Sequence, residues 1–495
     1  MSLKSYFFKI LAQIVVSREL KKAKNGCHYQ QEWFKRLIQT NKNTVFGIEH
    51  TFHSIDSYEE FKKNIPLRTY EAFESYVEEI KEGRNNILSS DAPLYLLKTS
   101  GTTSGAKYIP ITKNGIKHQI TAVRNLLCFY SYHTGDYDFV SYKMLFLQGS
   151  PELSHEFKIP TARLSGVVYH HVPKFFQKNK LPSYQTNIVS DWQKKIALIS
   201  EECIENNISV LGGIPPWCLQ LFENILAQTH TKDLKSYFKN LTLYIYGGVN
   251  FDSYETSIKK LIGNQATILE TYPASEGFFG FQDNPKIKDL LLLIDHGIFY
   301  EWIPFSDIHA TQPSIYLLSD VKKEETYEMV ISTESGLWRY RTGDLVSFTN
   351  IEPYKIKVVG RTSHFISAFG EHIIAKEVEQ AIATAITTFG IKIKDFFVSP
   401  NVELKRYEWR IEWIEKPDNL TEIEASLDTS LSSQNVYYKH LIEGSIIQPC
   451  RILTMNHGTF ESYRKHNQKI GEQNKVVRLS NTNSIAKELD QFNNS

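Results

Sequence analysis

The chain has 495 residues, long enough for about two to four folding units with their own apolar cores. Its 56 Lys and Arg against 55 Asp and Glu leave a formal net charge of +1, so no overall field favours nucleic acid or an anionic membrane surface. The five cysteines lack a C-x-x-C spacing, which argues against a zinc site and against a disulfide framework. We therefore expect a cytoplasmic protein that holds any charged ligand through local groups.

The first predicted element is an amphipathic helix. Residues 7–16 are apolar in part, but Lys9 and Gln13 interrupt them, and no small-residue cleavage site follows. No run elsewhere approaches the roughly 20 apolar residues that cross a bilayer. We predict neither a signal peptide nor a membrane span.

Strand-like runs alternate with helical stretches from about residue 90 to residue 280. The runs are residues 94–97, 144–147, 208–211, 243–246 and 266–269. This rhythm predicts an α/β fold with a largely parallel, buried sheet. Because ligands of such sheets sit at the carboxyl ends of the strands, the loops after these runs are the first candidates for a site.

The pattern then changes to closely spaced strands at residues 297–302, 314–318, 327–332, 337–341 and 354–359. They predict an antiparallel sheet or small barrel packed on the α/β part. A helix with one apolar face follows at residues 375–389, and residues 407–413 alternate as in a half-buried strand. We predict a large N-terminal domain, residues 1–361, and a smaller α+β domain, residues 362–495.

The most informative segment is residues 99–107, Thr-Ser-Gly-Thr-Thr-Ser-Gly-Ala-Lys, which follows a predicted strand. Glycines let the backbone approach a ligand closely, and clustered amides bind anions, so a polyphosphate suits this loop. A solvated surface loop is an equally good interpretation of this feature alone. The spacings G-x-x-x-x-G-K-[ST] and G-x-G-x-x-G are both absent.

Two further segments combine polar residues at predicted strand ends. Residues 270–280 contain a tyrosine, a hydroxyl and a carboxylate in Tyr272, Ser275 and Glu276, although an acidic turn beside core phenylalanines would look similar. Residues 338–345 end in Gly343-Asp344, which could bind the hydroxyls of a ribose or form an ordinary turn.

In this order, the three segments resemble the adenylate-forming superfamily of acyl-CoA synthetases and luciferases. The strings at residues 274–280, 327–333 and 336–344 are more specifically similar to the auxin-responsive Gretchen Hagen family of acid-amido synthetases. The resemblance covers residues 30–480. It implies an α/β adenylation domain followed by a mobile C-terminal domain that moves about residues 361–363.

The resemblance also implies roles for individual residues. The phosphates of ATP would lie against Ser100, Gly101, Thr102, Thr103 and Ser104, with Lys107 as a runner-up contact. The rest of the nucleotide would be bound by Gly248, Val249, Tyr272, Ser275, Asp344 and Arg361. Glu276 would hold Mg²⁺, and Lys475 would be the catalytic lysine, although the family usually has proline where Val477 stands.

The implied reaction activates a carboxylic acid as acyl-AMP and transfers the acyl group to an amino acid or another amine. The aromatic content of 13% and the resemblance favour a small or medium hydrophobic acid. An acyl-CoA synthetase and a catalytically silent nucleotide-binding scaffold remain alternatives. We expect His170 and His171 to pack rather than to catalyse, because paired histidines alone do not make a metal site.

Overall fold

The computed structural model describes residues 2–99, 107–235, 237–248, 251–308, 310–362, 365–366, 368–371, 373–467, 478–481 and 483–494. The α-helices are α1 (Leu3–Lys24), α2 (Gly26–Asn41), α3 (Val45–Glu49), α4 (Tyr58–Asn64), α5 (Glu74–Lys81), α6 (Lys113–Thr134), α7 (Leu164–His171), α8 (Lys174–Gln177), α9 (Tyr184–Asn187), α10 (Trp192–Ile204), α11 (Pro215–Thr229), α12 (Asp252–Ile262), α13 (Ala375–Phe389), α14 (Leu420–Gln434), α15 (Val436–Glu443), α16 (Thr459–Asn467) and α17 (Ser484–Asn494). Within the described residues, none of these helices is long and apolar enough to span a membrane.

The strands are β1 (Pro93–Thr99), β2 (Lys107–Thr112), β3 (Lys143–Phe146), β4 (Thr161–Ala162), β5 (Lys180–Leu181), β6 (Ile208–Gly212), β7 (Leu243–Gly247), β8 (Thr267–Pro273), β9 (Phe278–Phe281), β10 (Leu290–Leu292), β11 (Ile298–Pro304), β12 (Thr326–Thr333), β13 (Tyr340–Ile351), β14 (Tyr354–Arg361), β15 (Phe365–Ile366), β16 (Ile373–Ile374), β17 (Lys392–Asn401), β18 (Arg406–Glu415) and β19 (Arg451–Met455).

One eleven-stranded sheet organises most of the chain, in the order β11-β12-β13-β14-β10-β9-β8-β7-β6-β3-β5. Strands β5, β3, β6, β7 and β8 run parallel, and the remaining six pair antiparallel. The predicted α/β class is confirmed. The antiparallel strands, expected as a separate sheet or small barrel, instead extend the parallel sheet, because β9 turns back along β8 and joins the two halves.

Three predicted strands differ from the structure. Residues 94–97 lie in β1, but β1 pairs with β2 and β4 in a separate three-stranded sheet. Residues 314–318 contribute only one bridge, between Tyr316 and Trp302. The strand expected at residues 337–341 begins at Tyr340, because the chain turns at Gly336 (φ 104°) and again at Arg339 (φ 47°) before it can extend.

Helix α2 packs on the antiparallel half of the large sheet. Gln30 of α2 is buried; its Nε2 donates to the carbonyls of Ile294 (2.8 Å) and Ile298 (3.0 Å), and its Oε1 accepts from the amide of Tyr300 (2.8 Å). One amide side chain thus satisfies three backbone groups at the start of β11. This helps to fix α2 on the sheet that carries part of the candidate site.

The segment after residue 368 builds its own core. Strands β17, β18 and β19 form a sheet against which α13 and α14 pack. Helix α13 spans the residues predicted for it, because Val378, Ile382 and Ala385 are buried on one face. The carbonyl of Gly444 joins this part to the rest of the chain by accepting from Gln193 and Gln220. The boundary between residues 361 and 362 stays a prediction.

Candidate active site

Strands β7 and β8 end side by side at the carboxyl edge of the parallel half. Gly247 pairs with Thr271, and a Cβ on Gly247 would lie 2.5 Å from the carbonyl oxygen of Thr271, so only glycine fits there. The Thr271 hydroxyl donates to the carbonyl of Tyr246 at 2.8 Å. The next residue, Gly248, has φ 80°, and among the described residues nothing lies within 4 Å of its Cβ position. The strand end is therefore rigid and its outer side is open.

A tight turn after β8 carries Ser275 and Glu276. The amide of Ala274 donates to the carbonyl of Gly277 at 2.8 Å, and the reverse bond measures 3.2 Å. A Cβ on Gly277 would lie 2.5 Å from Ile298 Cδ1, so the turn packs directly against β11. The two backbone bonds fix the positions from which the side chains of Ser275 and Glu276 project.

A β-bulge in β13 presents Asp344. The pairing with β12 shifts register after Arg341, and the skipped residues include Gly343 at φ 74°. The Thr342 hydroxyl donates to the carbonyl of Met329 at 2.8 Å, and the Asp344 amide donates to that hydroxyl at 3.1 Å. Bulges of this kind redirect side chains next to active sites. Here the bulge directs a buried carboxylate across the sheet.

Tyr272 and Asp344 meet although 72 residues separate them in sequence. The Tyr272 hydroxyl donates to Asp344 Oδ2 at 2.5 Å. The Tyr272 ring lies edge-on to Phe279, with centroids 4.9 Å apart, which restricts its rotation. A charge-assisted hydrogen bond of this length joins the parallel half of the sheet to the antiparallel half at the candidate site.

Arg361 is placed beside Asp344 by the strand register. The two residues are partners in the β13–β14 pairing, and the amide of Thr362 donates to the carbonyl of Gly343 at 2.7 Å. Only the backbone of Arg361 belongs to the described part of the structure. This backbone position is compatible with the predicted role near a ribose.

Seven of the predicted site residues lie outside the described residues: Ser100, Gly101, Thr102, Thr103, Ser104, Val249 and Lys475. Val477, which stands where the family usually has proline, lies outside them as well. Lys107 begins β2, with Nζ 5.3 Å from the ring centroid of Tyr70. Their roles stay predictions.

His170 and His171 make local contacts. His170 Nε2 lies 2.6 Å from the carbonyl oxygen of Pro151, and His171 Nε2 lies 3.1 Å from the Tyr95 hydroxyl. Burial lowers the pKa of His171 and favours its neutral form. Within the described residues, no cluster of three or more His, Cys, Asp or Glu could hold a metal ion. The contacts of His170 and His171 agree with the predicted packing role.

Sequence reasoning missed Gln119, which supports the turn from behind. This α6 residue is buried, and its Nε2 donates to the carbonyl of Ala274 at 3.0 Å. The contact spans 155 residues. A signal was present in the sequence, because Gln119 falls on the apolar face between Ile116 and Ala122, where an unpaired amide would be costly.

Three domain descriptions of one family match this chain. They are the GH3 family N-terminal domain over residues 17–187, the central domain over residues 291–361 and the C-terminal domain over residues 376–484. Together they cover well over half of the sequence.

Similar proteins extend over most of the chain. The jasmonoyl-L-amino acid synthetase JAR4 of Nicotiana attenuata is 21% identical over 461 residues, covering 79% of this chain and 79% of that protein. A solved GH3.15 acyl acid amido synthetase in complex with 2,4-DB shares 17% identity and a TM-score of 0.63, covering 97% of this chain and 96% of its own. A 2-hydroxyisobutyryl-CoA ligase in complex with 2-HIB-AMP and CoA shares 13% identity and a TM-score of 0.55, covering 96% of this chain and 92% of its own.

The two solved structures share the fold of this chain. The relatives are synthetases and ligases, in agreement with the predicted enzyme class. The central domain match includes Asp344, and the family inferred from the three sequence segments is confirmed. The chain belongs to the GH3 family.

Proposed function

We propose that this protein is an ATP-dependent ligase that joins a carboxylic acid to an amine, with an amino acid as the natural acceptor. The observation that carries the proposal is the Tyr272–Asp344 contact between the end of β8 and the bulge of β13, next to the open side of Gly248. Family membership supplies the reaction class. JAR4 is named as a synthetase of jasmonoyl-L-amino acids, and we extend that chemistry to this chain.

The nucleotide would lie along the edge formed by β7, β8 and β13. The Asp344 carboxylate would accept hydrogen bonds from the ribose hydroxyls, and the ring of Tyr272 would pack against the base. The Ser and Thr hydroxyls of residues 100–104 would bind the phosphates, as the sequence predicts. Gly248 leaves room for the backbone to approach the base.

In the first half-reaction a carboxylate oxygen of the acid attacks the α-phosphorus of ATP. An acyl-phosphate bond forms, the bond to the β-phosphate bridging oxygen breaks, and pyrophosphate leaves. Two anions meet in this step, so the barrier is largely electrostatic. Lys475 would supply fixed positive charge where negative charge develops.

In the second half-reaction the amine nitrogen attacks the acyl carbon. The carbon–oxygen bond to AMP breaks, AMP leaves with the electron pair, and the nitrogen loses its proton to form the amide. The sequence provides no triad for a covalent acyl-enzyme, and this route needs none. The C-terminal part would move between the two steps to admit the amine.

Glu276 is suited to bind Mg²⁺ together with the phosphates of the nucleotide. The ion commonly uses one or two carboxylates together with phosphate oxygens and water, and Glu276 projects from the rigid turn after β8. Bound there, Mg²⁺ would neutralise phosphate charge. Glu276 itself would contribute one carboxylate oxygen and fix the side of the nucleotide on which the ion binds.

The acid would lie beside the turn at residues 274–277, where Ile298 and Phe279 are buried apolar side chains. Both belong to the packed core behind the turn, and the preference for a hydrophobic acid rests on the sequence. The five cysteines are free, as a protein of the reducing cytoplasm would have them, and we place the reaction there.

The test is acid-dependent exchange of labelled pyrophosphate into ATP over a panel of carboxylic acids. We expect exchange with one class of acid, and loss of that exchange in Lys475→Ala. Hydroxylamine trapping followed by an acceptor screen then separates an amine acceptor from CoA. Conjugation to CoA alone would replace the proposal with an acyl-CoA synthetase. Nucleotide binding without exchange for every acid would replace it with a silent scaffold.

A further inference from the structure

The first helix displays a row of apolar side chains to solvent. Leu3, Phe7, Ile10 and Ile14 repeat at i, i+4, i+7 and i+11 on α1, and their exposed fractions are 74%, 62%, 39% and 60%. Tyr6 and Leu11 flank this row and are exposed as well. We call these six residues the α1 apolar stripe. Contiguous exposed apolar patches of this kind mark interaction sites.

The opposite face of α1 is already packed, so the stripe cannot turn inward. Phe8, Ala12 and Val15 are buried against α6 and the segment that follows it. The ring of Phe8 meets that of Phe139 edge-on, with centroids 5.3 Å apart. Burying the stripe against the protein's own core would require α1 to give up these contacts. The stripe is therefore fixed at the surface.

The exposed charges further along the same face are basic. Arg18 and Lys21 continue the line of the stripe toward the end of α1, and Lys24 follows one turn later. The one acidic residue of the helix, Glu19, is buried and lies 3.1 Å from Arg18 and 3.5 Å from Lys22. One exposed carboxylate, Asp138, lies in the short helix beside the start of α1. The exposed face of α1 is thus apolar over its first turns and basic over its last turns.

We propose that the α1 apolar stripe binds the surface of an anionic lipid membrane. Exposed apolar side chains of a surface helix insert into the headgroup region, and neighbouring Lys or Arg residues attract anionic lipids. Basic residues near such a surface add electrostatic attraction. The helix lies on the surface and does not cross it. The attraction is local, since the chain as a whole carries a formal net charge of +1.

Charge favours a membrane over a second copy of the chain. A second copy would bring an identical set of cations to the same contact, whereas anionic headgroups supply the opposite charge. The exposed cations of α1 therefore select an anionic, laterally extended partner. The proposal is independent of the ligase activity, because the stripe and the candidate active site share no residue.

The test is co-sedimentation of the full chain with phosphatidylcholine vesicles, with and without phosphatidylglycerol. We expect binding only to the vesicles that contain phosphatidylglycerol, and weaker binding as salt is added. The double variant Phe7→Ser/Ile14→Ser should bind at least about tenfold less, because two inserted side chains are lost. Lys21→Ser/Lys24→Ser should bind less and should lose most of its salt dependence.

The matched control is Ile48→Ser/Ile414→Ser, which removes two isoleucines of similar exposure, 61% and 65%, from other surfaces. The control should bind like the unchanged protein. All variants change exposed side chains and should unfold at the same urea concentration. Absence of binding to anionic vesicles, or equal loss in the control, overturns the proposal. So does a dimer in sedimentation equilibrium that dissociates in Phe7→Ser/Ile14→Ser, since a second copy would then cover the stripe.

Discussion

The two halves of the large sheet bury different kinds of side chain. In the parallel half, the central strand β6 is wholly buried, and its one polar side chain is Ser209. In the antiparallel half, β11, β12 and β14 bury Glu301, Glu328 and Lys355, each of which contacts an opposite charge. The parallel half thus supplies a rigid apolar base with site loops at its ends. The antiparallel half depends on ion pairs, and one of its buried carboxylates, Asp344, faces the candidate site.

The difference follows from what covers each half. The antiparallel half is crossed by the irregular chain that leads out of α4, whose carbonyls need donors. Arg339 meets this need: its Nη1 donates to the carbonyl of Ile65 at 2.7 Å, and its Nε donates to Glu301 at 3.0 Å. Tyr58 of α4 donates to the same carboxylate at 2.8 Å. One buried ion pair therefore links α4, the chain after it, strand β11 and the turn before β13.

Arg339→Met should have the largest effect on stability. The change leaves Glu301 buried without its counter-charge, and removal of one partner of a buried pair costs about 3–5 kcal/mol. We expect urea unfolding to give a loss of that size. The control is Arg84→Met, because Arg84 pairs with Glu79 at an exposed site, where such a pair contributes about 1 kcal/mol or less. Equal losses in both variants would contradict the special role of the buried pair.

Asp344→Ala should abolish most acid-dependent pyrophosphate exchange. Loss of one preorganised polar contact to the nucleotide lowers the rate by about a hundredfold or more, equivalent to about 2.7 kcal/mol. The matched control is Asp289→Asn, a buried carboxylate of the same half that pairs with Lys355 at 3.2 Å. It should lower stability and leave exchange in the folded fraction unchanged. If Asp289→Asn lowers exchange as much, Asp344 acts only through the fold.

Local pattern predicted the elements whose surroundings are simple. Helix α13 was predicted to its ends, because an amphipathic helix needs only one core on one side. Strands β6 and β7 were predicted from short apolar runs for the same reason. The predicted start of β13 is wrong because Arg339 adopts a positive φ. Its contacts with Glu301 and Ile65 hold it in this conformation. Those partners lie 38 and 274 residues away.

The residues of the candidate site also divide into those that the local pattern predicts and those that it does not. Glycine and polar residues at strand ends marked Gly248 and the turn after β8, because parallel strands deliver their loops to one edge. The local pattern makes Asp344 an ordinary turn residue, and only the family resemblance predicts that it binds the ribose. Gln119 escaped both approaches, since its partner Ala274 is 155 residues away. Contacts between residues far apart in the sequence could not be predicted from the local pattern.

Tyr272→Phe tests the contact that joins the halves at the site. The change removes the hydroxyl that donates to Asp344 and keeps the ring that faces Phe279. Loss of a hydrogen bond to a charged group should weaken exchange by about tenfold, equivalent to about 1.4 kcal/mol. We expect a higher KM for ATP and little change in the KM for the acid. In the Asp344→Ala background the same change should have almost no further effect, and full additivity of the two losses would contradict the coupling.

Ser209→Ala should produce the smallest effect, and it tests the parallel half directly. The Ser209 hydroxyl donates to the carbonyl of Phe139 at 2.8 Å inside β6, and alanine is smaller and apolar. Removing the donor leaves one backbone carbonyl without this bond, so unfolding in urea should show a loss of about 1 kcal/mol or less. A loss as large as that of Arg339→Met would mean that the parallel half also depends on buried polar contacts. A small loss would establish that its stability comes from apolar packing, which leaves its strand ends free to carry the site.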